Sequence, residues 1–140
     1  MKKVLVYGLG LTGISAANTL DKMGYDVYTY DKNKKEVKEL KGYKYSPISD
    51  SEILDFDFEF VVKSPGIPPR DEVVKKLGEK YEIISDIELS FRLFPQAKII
   101  ATTGTNGKTS TTSMISHILN ESGRKAISVG NIGEGILWQM

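Results

Sequence analysis

Two glycine-rich loops constrain the fold of this chain more than any other feature of its sequence. Each follows a strand-like apolar run and opens a helical segment, as VLVYGLGLTG near the amino terminus and as IIATTGTNGKTS in the last third. Such a loop presents free backbone N–H groups at the N-terminus of a helix, where they and the helix dipole attract phosphate. The sequence therefore predicts two separate phosphate-binding loops.

Between and around these loops, short β-rich runs alternate with helical patterns. Because parallel strands need crossover helices, this alternation predicts an α/β fold. We expect a Rossmann-like doubly wound parallel sheet over residues 1–95. Pro95 marks a break, and residues 96–140 are predicted to begin a P-loop ATPase domain. That second unit should contain a strand in AKIIATTG, the loop, a helix from about Lys108 to Ser122 and a strand in KAISVGN.

Local patterns give four further expectations for the front region. Apolar residues at three-to-four spacing predict a helix over Thr12 to Met23, and NKKEVKELKG reads as an exposed lysine-rich helix. PRDEVVKKLG is predicted to be a helix with Pro69 near its start. DIELSFRLF is predicted to be a short helix that Asp86 could cap.

Composition excludes several classes of protein. The chain has 140 residues, a net charge of +1 and no cysteine, so disulfides and thiolate chemistry are excluded and nucleic acid is not an expected partner. No apolar run approaches the ~20 residues that cross a bilayer, so membrane insertion is not expected. We expect a cytoplasmic location. The single histidine, His117, reads as an ordinary helix residue.

The front loop fits the G-x-G-x-x-G pattern with Gly8, Gly10 and Gly13. In that pattern the first glycine permits a tight turn, the second lets backbone approach a pyrophosphate, and the third lets helix and strand pack closely. Asp31 stands where an acidic residue would meet a ribose or base. Taken alone, this loop favours an NAD-dependent dehydrogenase, although the glycines could serve packing only.

The second loop lacks the first glycine of the strict P-loop pattern, because Thr102 stands there. Lys108 would reach the β- and γ-phosphates of ATP, and the Thr109 hydroxyl would ligate Mg²⁺. The residues predicted to hold the ATP phosphates are Gly104, Thr105, Asn106, Gly107, Lys108, Thr109 and Ser110. A dehydrogenase has no use for this loop, so two nucleotide sites indicate an ATP-driven enzyme acting on a nucleotide-tagged substrate.

These motifs resemble the Mur ligases, which build bacterial peptidoglycan precursors. The resemblance rests on GLGLTG, SPGI, SDIEL, TGTNGKT and GNIG in that order, and it covers the whole chain. Within the family, the pattern is most similar to the members that join D-glutamate to UDP-N-acetylmuramoyl-L-alanine. The resemblance implies an ATP- and Mg²⁺-dependent amide-bond ligase that works through an acyl phosphate.

It also implies that the front domain binds the UDP part of the substrate, and not NAD. The residues carried over to that role are Gly10, Leu11, Thr12, Asp31, Ser64, Gly66 and Asn131. The resemblance further implies a monomeric three-domain enzyme whose catalytic residues lie downstream of Met140. We therefore expect this chain to be an inactive N-terminal piece, whose residues 98–140 pack on the front domain, self-associate or are poorly ordered.

Two other readings stay open from the sequence. One is a stand-alone nucleotide-binding or regulatory module with a dehydrogenase-like fold. The other is a simple P-loop kinase, which an entire α/β domain ahead of the second loop disfavours.

Overall fold

A parallel sheet of five strands forms the centre of the chain. The computed structural model describes residues 1–33, 45–49, 52–130 and 136–138. Its strands run in the spatial order β3-β2-β1-β4-β5, all of them parallel. They are β1 (Lys3–Tyr7), β2 (Asp26–Tyr30), β3 (Tyr45–Pro47), β4 (Phe60–Lys63) and β5 (Ile83–Ile84). This order confirms the predicted Rossmann-like doubly wound sheet.

Helices follow the strands as a doubly wound sheet requires. The α-helices are α1 (Leu11–Lys22), α2 (Glu72–Gly78), α3 (Asp86–Leu93) and α4 (Lys108–Glu121), and a 3-10 helix spans Ile136–Trp138. The predictions for α1 and α4 agree with these bounds to within one residue at each end. The predicted lysine-rich helix lies outside the described residues, apart from Asn33. Within the described ranges, no helix has the length and apolar character needed to cross a membrane.

Each face of the sheet carries its own apolar core. Alternate residues of β1 point to opposite faces, as strand geometry requires, with Val4 and Val6 on one face and Leu5 and Tyr7 on the other. The first face is covered by α1 and α3, and the second by α2. The helices that follow β1 and β4 thus leave the sheet on opposite sides. A crevice opens between two such strands at their carboxyl ends, where ligands of open α/β sheets bind.

The N-caps of two helices differ from the expectations. Pro69 lies before α2 instead of near its start, and the Asp71 side chain caps that helix by accepting from the backbone N–H groups of Val73 and Val74. In α3 the cap is Ser85, whose hydroxyl accepts from Glu88 N at 3.1 Å, and Asp86 is the first helical residue. Both corrections follow from side-chain reach, because a cap accepts from N–H groups two or three residues ahead.

The prediction of two strands in the second unit is wrong. Residues 97–107 and 123–130 contain no strand in the structure. Ile99 and Ile100 are 41% and 59% exposed, and among the residues that the structure describes this apolar run pairs with no strand and joins neither apolar core. A strand needs a hydrogen-bonded neighbour, and apolar character alone does not supply one.

The last described turn returns to the front sheet. Leu137 is 4% exposed and belongs to the same apolar core as Val4, Val6 and Leu20. The Thr19 hydroxyl also donates to the Leu137 carbonyl at 3.5 Å. The core of the front domain is therefore completed by a residue from beyond the predicted boundary at residue 95.

Candidate functional site

The front loop lies at the carboxyl end of β1, in the crevice between β1 and β4. Two backbone bonds anchor this edge: Gly8 N donates to Tyr30 O at 2.8 Å, and Ser64 N donates to Tyr7 O at 2.9 Å. The first extends the β1–β2 pairing into the loop, and the second extends the β1–β4 pairing. The loop is thus held on both sides by the strands that flank it.

The three glycines of the front loop differ in what surrounds them. A Cβ on Gly13 would lie 1.8 Å from the Gly8 carbonyl oxygen, and a Cβ on Gly8, where φ is +94°, would lie 2.9 Å from the Ser64 Cβ. Both positions need glycine for close packing. Gly10, by contrast, has no atom within 4 Å of such a Cβ. It is the N-cap of α1 and supplies no side-chain cap, so the first N–H groups of α1 have no side-chain acceptor there.

Asp31 ties the loop after β2 to the front loop. One carboxylate oxygen accepts from Leu9 N at 2.7 Å, and the other accepts from Asn33 N at 2.8 Å. Asp31 therefore positions the front loop through its backbone. Asp31 is half-buried, and its contact with the nucleoside stays a prediction.

The remaining predicted front-domain residues gather at the same crevice. The Thr12 and Ser64 hydroxyl oxygens lie 3.3 Å apart, which joins the start of α1 to the end of β4. Leu11 is 71% exposed on the same helical turn. A Cβ on Gly66 would meet nothing within 4 Å, so the backbone there is open to close approach. Asn131 lies outside the described residues.

A hydrogen-bonded network crosses the second face of the sheet beneath this crevice. Asp71 accepts from the Tyr7 hydroxyl at 3.0 Å and from the Lys32 ammonium at 2.6 Å. Burial raises the pKa of the Asp71 carboxyl, but the bonds from Lys32, the Val74 N–H and Tyr7 outweigh it and leave the pKa below its usual value. Burial, and then the bond to Asp71, raise the pKa of the Tyr7 phenol, which stays a proton donor. The network links the end of β1 to the connections that follow β2 and β4.

The second loop has its own contacts. Gly104 and Gly107 adopt positive φ angles of 149° and 76°, and α4 begins directly after Gly107 with no side-chain cap. The Lys108 ammonium donates to the Gly104 carbonyl and, at 3.3 Å, to the Thr105 carbonyl. Glycine at position 104 matters here because of its φ of +149°, which other residues rarely adopt, whereas a Cβ there would meet the Asn106 carbonyl only at an ordinary contact distance of 3.5 Å.

These residues fit the phosphates of ATP. The N-terminus of a 14-residue helix is uncapped, and the loop and first turn of that helix are exposed, including Asn106, Thr109 and Ser110. The Lys108 ammonium donates to carbonyl groups of the loop itself, which keeps its positive charge next to the loop that would bind the phosphates. Among the described residues, no group of three or more His, Asp or Glu side chains could hold a metal ion, and His117 is exposed on α4. Thr109 is exposed at the first turn of α4, and ligation of Mg²⁺ by its hydroxyl stays a prediction.

Sequence reasoning missed the network of Tyr7, Lys32 and Asp71, and also Lys63. Asp71 could have been found, since an aspartate directly before EVVKKLG is a standard N-cap signal. The contact of Lys32 with Asp71 carries no local signal, because the two residues lie on separate connections that meet at one edge of the sheet. Lys63 instead donates to backbone carbonyls of the turn directly after it, and no sequence motif marks that contact.

Two family models match the chain. The model described as Mur ligase middle domain matches residues 102–138, which contain the second loop and α4. The model described as alanine dehydrogenase/PNT, C-terminal domain, matches residues 1–116, which contain the front sheet and its glycine loop. The second match bears on the fold of the front region, and only the first reaches the segment after α4.

Curated relatives match across both regions. A UDP-N-acetylmuramoylalanine–D-glutamate ligase of Protochlamydia amoebophila is 42% identical over 94% of this chain and 31% of its own length. Ligases of the same name from Streptococcus sanguinis and Thermoanaerobacter pseudethanolicus are 40% and 37% identical over 94% and 98% of the chain. The chain therefore spans about a third of the length of these relatives, 31% and 32% in the latter two.

A solved structure shares the fold. A murein peptide ligase from Psychrobacter arcticus superposes with a TM-score of 0.59 and 23% sequence identity, over 88% of this chain and 27% of that one. The sheet with its crevice, the second loop with its lysine, and sequence identity that extends over both regions lead to the same assignment. The chain belongs to the Mur ligase family.

Proposed function

We propose that the protein represented by this chain is an ATP-dependent ligase that joins D-glutamate to UDP-N-acetylmuramoyl-L-alanine in peptidoglycan precursor synthesis. The observation that carries the proposal is the 37–42% identity to ligases of that name over 94–98% of the chain, through both loops. The two phosphate-binding loops then have two distinct ligands, one of which energises the other. A cytoplasmic location belongs to the same proposal, since ATP and the UDP-linked precursor are found there.

The front crevice would take the UDP part of the substrate. Uncapped N–H groups at the start of α1 face the crevice beside Gly10, and Gly66 offers open backbone on the opposite wall. Diphosphate binding at such a helix start follows from its free donors and its dipole. Leu11, Thr12 and Ser64 would contact the same ligand, and Asp31 would lie at the uracil end. We assign Asn131 to the sugar side on the family pattern alone.

The second loop would hold ATP. Lys108 would exchange its contacts with the Gly104 and Thr105 carbonyls for the β- and γ-phosphates, and Thr109 would contribute its hydroxyl to Mg²⁺. When bound, the metal ion neutralises charge on the phosphates. The backbone from Gly104 to Ser110 would orient the triphosphate, so the contribution of this chain to the reaction is binding and positioning.

The reaction would proceed in two steps. The alanine carboxylate attacks the γ-phosphorus of ATP and releases ADP, which yields an acyl phosphate. The amine of D-glutamate then attacks the acyl carbon, and phosphate leaves as the amide bond forms. We assign the residues that act on these atoms to the part of the relatives with which this chain does not align.

Calorimetric titration of the chain with UDP, UDP-N-acetylmuramoyl-L-alanine and NAD tests the proposal. The UDP-sugar should bind most tightly, UDP less tightly, and NAD most weakly. Gly10→Ala should weaken the uridine nucleotides because its Cβ would occupy space left open for the diphosphate. NAD binding more tightly than either uridine nucleotide would reject the proposal.

One observation favours a second candidate, a dinucleotide-binding module that takes NAD at the front loop. It is the match of residues 1–116 to a domain of the alanine dehydrogenase/PNT family. The same titration separates the two candidates, because both place a diphosphate at Gly10 and differ in the base that they recognise.

A further inference from the structure

Lys63 is a cation at the edge of the front crevice that no motif of the sequence predicts. It is the last residue of β4, pairs in register with Tyr7 of β1, and is half-buried. Its ammonium donates to the backbone carbonyls of Ser64 at 3.2 Å and Ile67 at 2.7 Å. It makes no ion pair with any carboxylate among the described residues.

These contacts organise one wall of the crevice. Ser64 O also accepts from Ile67 N at 3.1 Å, so the turn from Ser64 to Ile67 is closed by a backbone bond and by the lysine together. Gly66 lies inside this turn with its backbone open. Lys63 donates to the Ser64 and Ile67 carbonyl oxygens, so the negative ends of these two peptide dipoles lie close to its ammonium. The turn is thereby kept in one conformation beside the front loop.

The charges around the crevice indicate that Lys63 does more than stabilise the turn from Ser64 to Ile67. The front loop, GLGLTG, carries no charged side chain, and Asp31 adds a negative charge at the end of β2. The positive charge of Lys32 is offset by Asp71 at 2.6 Å. Arg70 is exposed, where water and salt screen its charge. Lys63 is half-buried and bound only to neutral groups, so its charge is available to an anion in the crevice.

We infer that Lys63 is a positioning residue for the diphosphate of the nucleotide at the front loop. It holds the turn from Ser64 to Ile67 in its binding conformation and supplies the charged side chain that the glycine loop lacks. The inference rests on the proposed function for the presence of a diphosphate, but it does not depend on which nucleoside carries it.

The test uses the whole chain, with UDP and NAD as probes and three variants. Lys63→Met removes the charge and keeps the length of the side chain, and Lys63→Arg keeps the charge. Lys80→Met is the matched control, because the Lys80 ammonium also donates to two backbone carbonyls, those of Leu54 at 3.2 Å and Phe56 at 3.0 Å, where the chain approaches the amino end of β4.

For the nucleotide that binds wild type more tightly, we expect Lys63→Met to weaken binding about tenfold, and Lys63→Arg and Lys80→Met by less than about threefold. The affinity of Lys63→Met should also depend less on salt between about 0.05 M and 0.3 M, because one attractive charge is missing. A purely structural role for Lys63 would leave that salt dependence unchanged. Thermal unfolding of each variant shows whether it is folded.

Three results would overturn the inference. They are a loss of less than twofold in a folded Lys63→Met variant, an equal loss in Lys80→Met, or an unchanged salt dependence. NAD binding more tightly than UDP rejects the proposed function and leaves the inference standing, provided that Lys63→Met weakens NAD. A wild-type chain that binds neither nucleotide rejects both.

Discussion

The two glycine loops have similar sequences, but their surroundings differ. The front loop follows a strand whose residues Val4 to Tyr7 are at most 2% exposed, and neighbouring strands bond to it from both sides. The second loop follows an exposed segment without strand structure, and the helix after it has no buried residue. The front loop is therefore rigid through tertiary contacts, whereas the second is shaped by its own glycines and Lys108.

A phosphate-loop pattern in the sequence therefore specifies a turn and a helix start, but it does not specify the tertiary contacts that hold them in place. Among the described residues, the hydrogen bonds of α4 and of the segment after it join these two parts to each other, and the Asn120 amide donates to Ala126 O at 2.8 Å. Met114 and Ile118 are 63% and 58% exposed on α4. Substitutions in the front region should therefore lower the free energy of unfolding much more than substitutions in the second region.

Gly13→Ala should have the largest effect. The new Cβ would lie 1.8 Å from the Gly8 carbonyl oxygen, so strand and helix would have to separate. We expect the free energy of unfolding to fall by at least about 3 kcal/mol in urea denaturation. Gly10→Ala is the control and should cost at most about 1 kcal/mol, because its Cβ meets no atom. Equal costs would show that the front loop is not held as tightly as its contacts indicate.

Leu137→Ala tests whether the end of the chain belongs to the front core. Leu137 is 4% exposed among buried residues of β1 and α1, so its truncation should leave a cavity and cost about 2–3 kcal/mol. Ile118→Ala on α4 removes a similar side chain that is 58% exposed and should cost less than about 0.5 kcal/mol. Urea denaturation of both variants measures the difference. A Leu137→Ala cost as small as that of Ile118→Ala would confine the front core to the region before α4.

Asp71→Asn should have a smaller, pH-dependent effect. A carboxyl group whose folded-state pKa is lowered contributes stability that is complete above its unfolded pKa and is lost as pH falls through the folded value, here below 3.8. Asparagine can still cap α2, but it loses the ion pair with Lys32, so we expect a loss of about 1 kcal/mol at pH 7.

Denaturation of wild type and Asp71→Asn at pH 7 and near pH 3 checks this sign. The gap between the two proteins should narrow at the acid end. A gap that stays constant with pH would mean that the carboxylate charge does not contribute.

Lys108→Ala should have the smallest effect on folding. Lys108 is exposed and contacts only carbonyls of its own loop, so the free energy of unfolding should change by less than about 0.5 kcal/mol. Any ATP binding by the chain should be abolished, whereas UDP binding at the front crevice should be unchanged. Calorimetry with both nucleotides measures this, and equal loss of both would show that the two loops do not act separately.

The front region could be predicted from the sequence because its local signals agree with its tertiary environment. The strand at Lys3–Tyr7, the glycine loop and the helix at Leu11–Lys22 lie where the pattern indicates them. The predicted division at residue 95 is complicated by Leu137, whose burial depends on a chain return of more than 100 residues. Such a contact leaves no local trace in composition or periodicity.

The second region could be predicted from the sequence only in part. The helix at Lys108–Glu121 was predicted correctly, since its start after Gly107 is a local signal. The strands in AKIIATTG and KAISVGN were not, because β-propensity expresses itself only when a neighbour completes the hydrogen bonds and covers the apolar face. The contacts of Asp71 with Tyr7 and Lys32 belong to the same class, since these partners lie far from it in the sequence.

The alternation of strands and helices, the two glycine loops and the family could all be predicted from the sequence. These properties follow from local sterics, from side-chain periodicity and from the order of short motifs. The tertiary structure was needed to establish which loop neighbouring strands anchor, which carboxylate pairs with Lys32 and which late residue enters the core. Burial and charge pairing involve groups that come together from distant parts of the chain, and local sequence patterns do not record them.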